Sequence, residues 1–110
     1  MLSREHKMRR PADFAATLAA GRRARAGATV VYTAPAAGRD WRAGFIVSKK
    51  VGNSVQRHRV TRRLRAIVTG RLPGAAPPPD VVVRALAGAA SCSYAELDRA
   101  VGRALAKALP

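Results

Sequence analysis

The sequence predicts an α+β fold in one domain spanning 1–110, and three observations carry that expectation. Amphipathic helical stretches and short strand-like runs follow one another in the order α-β-β-α-β-α. Helices this amphipathic need a sheet to cover. A chain of 110 residues, 48% hydrophobic but only 5% aromatic, can fill one modest core, mostly with Val, Leu, Ile and Ala.

Residues 1–10 read as a basic arm without the apolar centre of a signal peptide. Pro11 can open a helix, because the N–H it lacks would have no partner there. Phe14 and Leu18 share a face of that helix, and Gly21 ends it. Arg22, Arg23 and Arg25 then fall in a loop. Ala28 to Ala34 is a strand with Val30 and Tyr32 on one face, Val31 and Thr33 on the other. Pro35 to Asp40 is a turn. Trp41 to Ser48 is a second strand, in which Trp41, Ala43, Phe45 and Val47 alternate with Arg42, Gly44, Ile46 and Ser48. Two neighbouring strands and a short loop predict an antiparallel hairpin.

Asn53 or Ser54 can cap a helix running from about Val55 to Thr69. Gly70 to Asp80, rich in Pro and Gly, is a loop. Val81 to Leu86 is a short buried strand, and Gly88 to Cys92 another loop. Ser93 with Glu96 has the spacing of a capping box. It opens a last helix with an apolar face of Leu97, Val101, Ala104, Leu105 and Ala108, which Gly102 weakens somewhat.

Charge narrows the function. There are 21 Lys plus Arg against 6 Asp plus Glu, a formal net charge of +15. Self-repulsion on this scale opposes compaction, so a polyanionic partner is expected. The bias is local: no acid lies between Asp40 and Asp80, while Arg42, Lys49, Lys50, Arg57, Arg59, Arg62, Arg63, Arg65 and Arg71 do. Most cations are Arg, which forks onto phosphate and stacks on bases. GC-rich codon usage would explain Arg over Lys but not the missing acids. The single cysteine, Cys92, excludes an intrachain disulfide. No run is long enough to span a bilayer. Together these features predict a cytoplasmic location, with no membrane and no protein partner evident.

The segment from Lys49 to Arg65 reads KKVGNSVQRHRVTRRLR. On a helix, Val60, Leu64, Ile67 and Val68 fall together and face the sheet. His58, Arg59, Arg62, Arg65 and Thr69 point broadly the other way. Arg57 runs along one edge and Arg63 along the opposite one. Most charge runs are simply solvated faces. Here like charges such as Arg59 and Arg63 repel at i and i+4 with no acid to offset them, which favours a nucleic-acid surface. The Gly52-Asn53 turn brings backbone N–H groups to a helix start, where phosphate is favoured; the plainer alternative is that it makes only the turn and the cap. Among Phe14, Tyr32, Trp41, Phe45 and Tyr94, each more often a core residue, Tyr32 is the best stacking candidate. Its hydroxyl suits a half-exposed sheet face.

No catalytic constellation is legible. His6 and His58 lack metal-ligand spacing. The acids are scattered rather than clustered for a metal pair, and no nucleotide-binding Gly-rich loop is present.

The stretch FIVSKKVGNSVQRHRVTRRLR closely resembles the central motif of the bacterial ribonuclease P protein subunit family. In that family a strand runs into Ser-Lys-Lys, a Gly-Asn turn and an Arg-Asn-Arg helix. RRPADF resembles the family's first helix, VVYTAP its first strand and DVVVRAL its last, so the likeness covers nearly the whole chain. The resemblance implies a two-layer α+β sandwich with a left-handed βαβ crossover. It implies binding to the ribonuclease P catalytic RNA and to the 5′ leader of precursor tRNA. The RNA, with Mg²⁺ held mainly by RNA and substrate, would hydrolyse the phosphodiester, and the protein would raise substrate and metal affinity.

By the same resemblance Arg57, Arg59, Arg62 and Arg63 belong to the basic helix that lies against the RNA subunit, and Lys49, Lys50, Gly52 and Asn53 to the segment leading into it. Phe14 and Tyr32 match aromatic positions of the leader cleft, and Arg65 a basic position near it. At three cleft-side positions the chain departs from the pattern: His58 replaces Asn, Thr61 a common basic residue, and Leu18 a frequent second aromatic. His58 can still donate a hydrogen bond and stack. A structural RNA binder of ribosomal-protein type and a helix-based DNA binder would also explain the charge, but not the motif across turn and helix.

Overall fold

The computed structural model describes residues 2–110, and in it four strands form one mixed sheet flanked by three helices. The elements are α1 (Pro11–Ala19), β1 (Arg22–Ala26), β2 (Thr29–Pro35), β3 (Arg42–Ile46), α2 (Ser54–Arg71), β4 (Pro79–Ala85) and α3 (Tyr94–Ala108). The sheet order is β1-β2-β4-β3. β2 pairs antiparallel with β1 and β4, while β3 runs parallel to β4.

Three expectations need correction. The segment from Arg22 to Arg25 is not a loop but strand β1, whose arginines leave the alternate residues Ala24 and Ala26 to pack inward. The expected hairpin between β2 and β3 does not form. β4 lies between them, because its unbroken run of Val81, Val82 and Val83 can be buried on both faces and so belongs in the sheet interior. The hairpin is instead β1–β2, closed at Gly27 and Ala28. Finally, residues 4–8 are not a free arm. A short 3₁₀ turn, Arg4–His6, leads into a parallel bridge between Lys7 and Ala43, and Met8 N–H donates to the Ala43 carbonyl at 3.0 Å. The His6 ring stacks on Trp41 at 3.8 Å, and Met8 is buried. This segment covers the outer edge of β3, which would otherwise present unpaired backbone groups.

The two sheet faces differ. One carries α2 and α3, and between these layers lies the main core of Val31, Val60, Leu64, Ile67, Val81, Val83, Leu97 and Val101, with Trp41, Ala43 and Phe45 from the β3 side. Each such aliphatic side chain contributes about 1.5–3 kcal/mol on burial. The other face is covered only in part, by α1: Phe14 and Leu18 pack on Met8, Tyr32, Val82, Val30 and Ile46. Thus α2, joining the parallel neighbours β3 and β4, has its apolar side on one face, while α1 sits across the sheet from it.

Candidate nucleic-acid interface

The turn before α2 is built by its cap. Asn53 Oδ1 accepts from Gln56 N–H at 2.9 Å, and Gln56 Oε1 accepts from Asn53 N–H at 2.9 Å. Two donors that the sequence pattern leaves open to phosphate are therefore taken by the protein itself. At Gly52 a Cβ would fall on the Gln56 side chain, so this glycine is needed for the close approach that closes the box. Gly52 and Asn53 make turn and cap; Lys49 and Lys50 beside them are exposed.

Along α2 the predicted inner face holds: Val60, Leu64, Ile67 and Val68 are all buried. The polar residues divide among three directions. Ser54, Val55, His58, Arg59 and Arg62 border an open outer groove of about 500 Å³, in which Val55 is 73% exposed and Arg62 has no protein partner among the described residues. On one flank Arg59 Nη2 donates to the Ala90 carbonyl at 3.1 Å and Arg63 Nη1 to the Cys92 carbonyl at 3.0 Å. Arg59 thus turns sideways toward the 89–92 segment instead of pointing outward as expected. On the other flank stand Arg57, Thr61 and Arg65. Arg57 Nε is buried without a hydrogen-bond partner, and Thr61 Oγ1 donates to the Arg57 carbonyl at 2.9 Å.

Thr61 and Arg65 face a channel of about 120 Å³ that follows the β3 edge, walled opposite by Phe14 and Met8 and reaching Lys7. The Phe14 ring lies so close to the β3 backbone that a Cβ on Gly44 would meet it at 2.5 Å. The structure therefore brings Phe14, Thr61 and Arg65 together. Leu18 and Tyr32 belong to the packed cluster behind them, and His58 lies on the outer groove instead.

Tyr32 is 8% exposed, not half-exposed as its hydroxyl suggested, and the Arg84 guanidinium lies over its ring at 5.7 Å. Arg84 is not marked by the sequence motifs. Alternation along Val81–Ala85 would have placed it with Val82 on the Tyr32 face.

A second group missed at the level of sequence positions α1. Arg42 on β3 grips Asp80 on β4 with Nε at 3.1 Å and Nη2 at 2.9 Å, and its Nη1 donates to Asp13 on α1 at 3.1 Å. The hydrogen bond to Asp80 is the chief cause that raises Arg42 above its ordinary pKa, against the effect of its burial. This cross-link holds the start of α1, and hence Phe14, over the sheet. Among the described residues no cluster of three or more His, Cys, Asp or Glu could hold a metal ion, and no helix is long and apolar enough to cross a membrane.

Comparison with known proteins agrees over the whole domain. A family described as Ribonuclease P matches residues 2–109. The chain is 42% identical to the ribonuclease P protein component of Streptomyces bikiniensis, with 99% of this chain and 96% of the relative covered. It is 46% identical to that of Micrococcus luteus, with 99% and 92% covered. Its structure resembles that of the Staphylococcus aureus RNase P protein with a TM-score of 0.83 and 26% identity, over 96% of this chain and 98% of that one.

Proposed function

The chain belongs to the ribonuclease P protein family, and from that premise we propose how its surfaces divide the work of tRNA 5′ processing. As a ribonuclease P protein component it is a subunit of the ribonucleoprotein that carries out this processing. In our reading Lys49 and Lys50 before α2, Arg62 on its outer groove and Arg57 on the neighbouring flank lie on the ribonuclease P catalytic RNA. Arg59 and Arg63 lend this surface charge while their guanidinium groups stay tied to backbone carbonyls.

The channel between Phe14, Thr61 and Arg65 takes the 5′ leader of precursor tRNA. Arg65 meets phosphate there, Phe14 offers an apolar wall, and Tyr32 and Leu18 support that wall from behind. The single observation that carries this reading is the acid-free run of cations from Lys49 to Arg65, with Arg65 lining that channel, on a chain whose family is established.

The RNA subunit performs the phosphodiester hydrolysis, and Mg²⁺, held by RNA and substrate phosphates, supplies charge neutralisation there. In support, Asp13 at the start of α1 and Asp80 on β4 are already engaged by Arg42 and are poor candidates for a protein-held ion. The protein acts by binding and orienting. A cytoplasmic location belongs to the same reading.

The test is reconstitution. The purified protein is mixed with a bacterial ribonuclease P RNA and a leader-bearing precursor tRNA, at Mg²⁺ too low for the RNA alone. Protein-dependent removal of the leader is expected. Binding to a cognate RNA without any gain in cleavage would leave a structural RNA binder as the better description.

A further inference from the structure

At the start of α1, across the β3 edge from α2, lies an open basin of about 490 Å³. Arg4, Lys7, Arg9 and Arg10 line it, with Arg39 and Arg42 on the far wall. Its Lys and Arg residues outnumber its two acids, Glu5 and Asp13, and leave it positive. Asp13 is taken by Arg42, and Glu5 makes no ion pair among the described residues. Arg4, Lys7, Arg9 and Arg10 are exposed, and none of their side chains has a hydrogen-bond or ion-pair partner among the described residues. This contrasts with Arg59 and Arg63, whose guanidinium groups are bonded to carbonyls. Four unpartnered cations converging on one concave surface repel one another, and a polyanion relieves that repulsion.

Geometry says which polyanion. Lys7 lines both the basin and the Phe14–Arg65 channel, and the neighbouring residues Asp13 and Phe14 face one cavity each. The two are thus successive stations along the β3 edge. A channel of about 120 Å³ is far too small to take a duplex, which leaves an extended strand lying along it. The segment that forms the basin is fixed rather than loose, because Lys7 and Met8 are bridged to Ala43 and His6 is stacked on Trp41.

We infer that this basin is a second phosphodiester-binding station, which holds the part of a single-stranded 5′ leader that extends beyond the channel. The inference rests on the functional reading above. It requires that long leaders gain affinity from Arg4, Arg9 and Arg10 while short leaders do not.

The experiment uses the reconstituted holoenzyme and one precursor tRNA carrying either a short leader that ends within the channel or a long one. The variant R4Q/R9Q/R10Q, which leaves the channel residue Lys7 in place, is compared with the parent chain, and R9E/R10E serves as a second, independent variant. The altered side chains are exposed and unpartnered, so the fold is expected to persist, which circular dichroism checks. For the long leader, affinity should fall roughly tenfold or more, and the slope of log affinity against log salt should lessen by about 0.7 for each phosphate no longer neutralised. The short leader and the affinity for the RNA subunit alone should not change. Equal losses for both leaders would overturn the inference, and so would a loss confined to the RNA subunit. If the parent protein gains nothing from any leader, the functional reading itself fails; if it does and the variants match it, only the basin is wrong.

Discussion

The two flanks of α2 carry the same residue type and meet opposite fates. On one flank Arg59 and Arg63 reach backbone carbonyls of the segment before α3, so part of their charge is used to hold two pieces of the protein together. On the other, Arg65 lines the channel, and neither its guanidinium group nor that of Arg57 has a protein hydrogen bond among the described residues. A row of arginines is therefore not a uniform binding surface. What separates a structural cation from an available one is whether the fold places a carbonyl or carboxylate within its reach.

The largest effect is expected where the channel flank depends on α1. Arg42→Met leaves buried Asp80 with only its longer contact to Arg39 and releases Asp13, and should cost about 3 kcal/mol. Urea denaturation measures that loss. Leader affinity should then fall more than affinity for the RNA subunit, because Phe14 loses its support. A stability change within about 0.5 kcal/mol would mean that this network does not hold α1.

The next effect separates the flanks directly. Arg59→Ala with Arg63→Ala should lower stability by about 2 kcal/mol, because two charge-assisted bonds disappear. Arg62→Ala, on the open groove, should leave stability within about 0.5 kcal/mol and reduce the salt slope of RNA-subunit binding by about 0.9. The reverse pattern in thermal melts and binding titrations would break the comparison.

The smallest effect concerns the two helix starts. The box at α3 uses Glu96, whose carboxyl is held below its usual pKa because it accepts the Ser93 N–H, with the Ser93 hydroxyl adding to the effect. Its contribution is present above the ordinary carboxylate value, about 4.3, and is lost as pH falls through the lowered one. The box at α2 uses Gln56, which does not titrate. Amide exchange followed down the acid range should show α3's first turn fraying before α2's, and Glu96→Gln should flatten that difference. Identical fraying in both helices would show that acid acts elsewhere.

Much of this was legible in local pattern. The capping box of α3, the inner face of α2 and the apolar face of α3 follow from spacing alone, because a helix repeats regularly and its caps need particular side chains within a few residues; at α2 the sequence left the cap open between Asn53 and Ser54, and the structure settles it on Asn53 with Gln56. The channel was legible only in part. Thr61 and Arg65 meet Phe14 as the resemblance implied, whereas His58 sits on the outer groove and Tyr32 lies under Arg84. Strand β1 was hidden because three arginines within five residues look like a loop, although alternation leaves Ala24 and Ala26 facing inward. The bridge from Lys7 to Ala43 joins segments far apart in the chain, and no local signal marks it.

By itself the sequence determined the helices, the cap of the last one, the excess of positive charge and, through its central motif, the family. Each of these depends on residues close together along the chain or on composition. The tertiary structure decided strand order, with β4 between β2 and β3, and which arginines are tied to backbone carbonyls. Those outcomes depend on which distant backbone a strand edge or a guanidinium group meets. Such pairings are settled by competition among whole-chain packings, in which a strand apolar on both faces takes the interior place and a cation finds whatever oxygen the finished fold puts beside it.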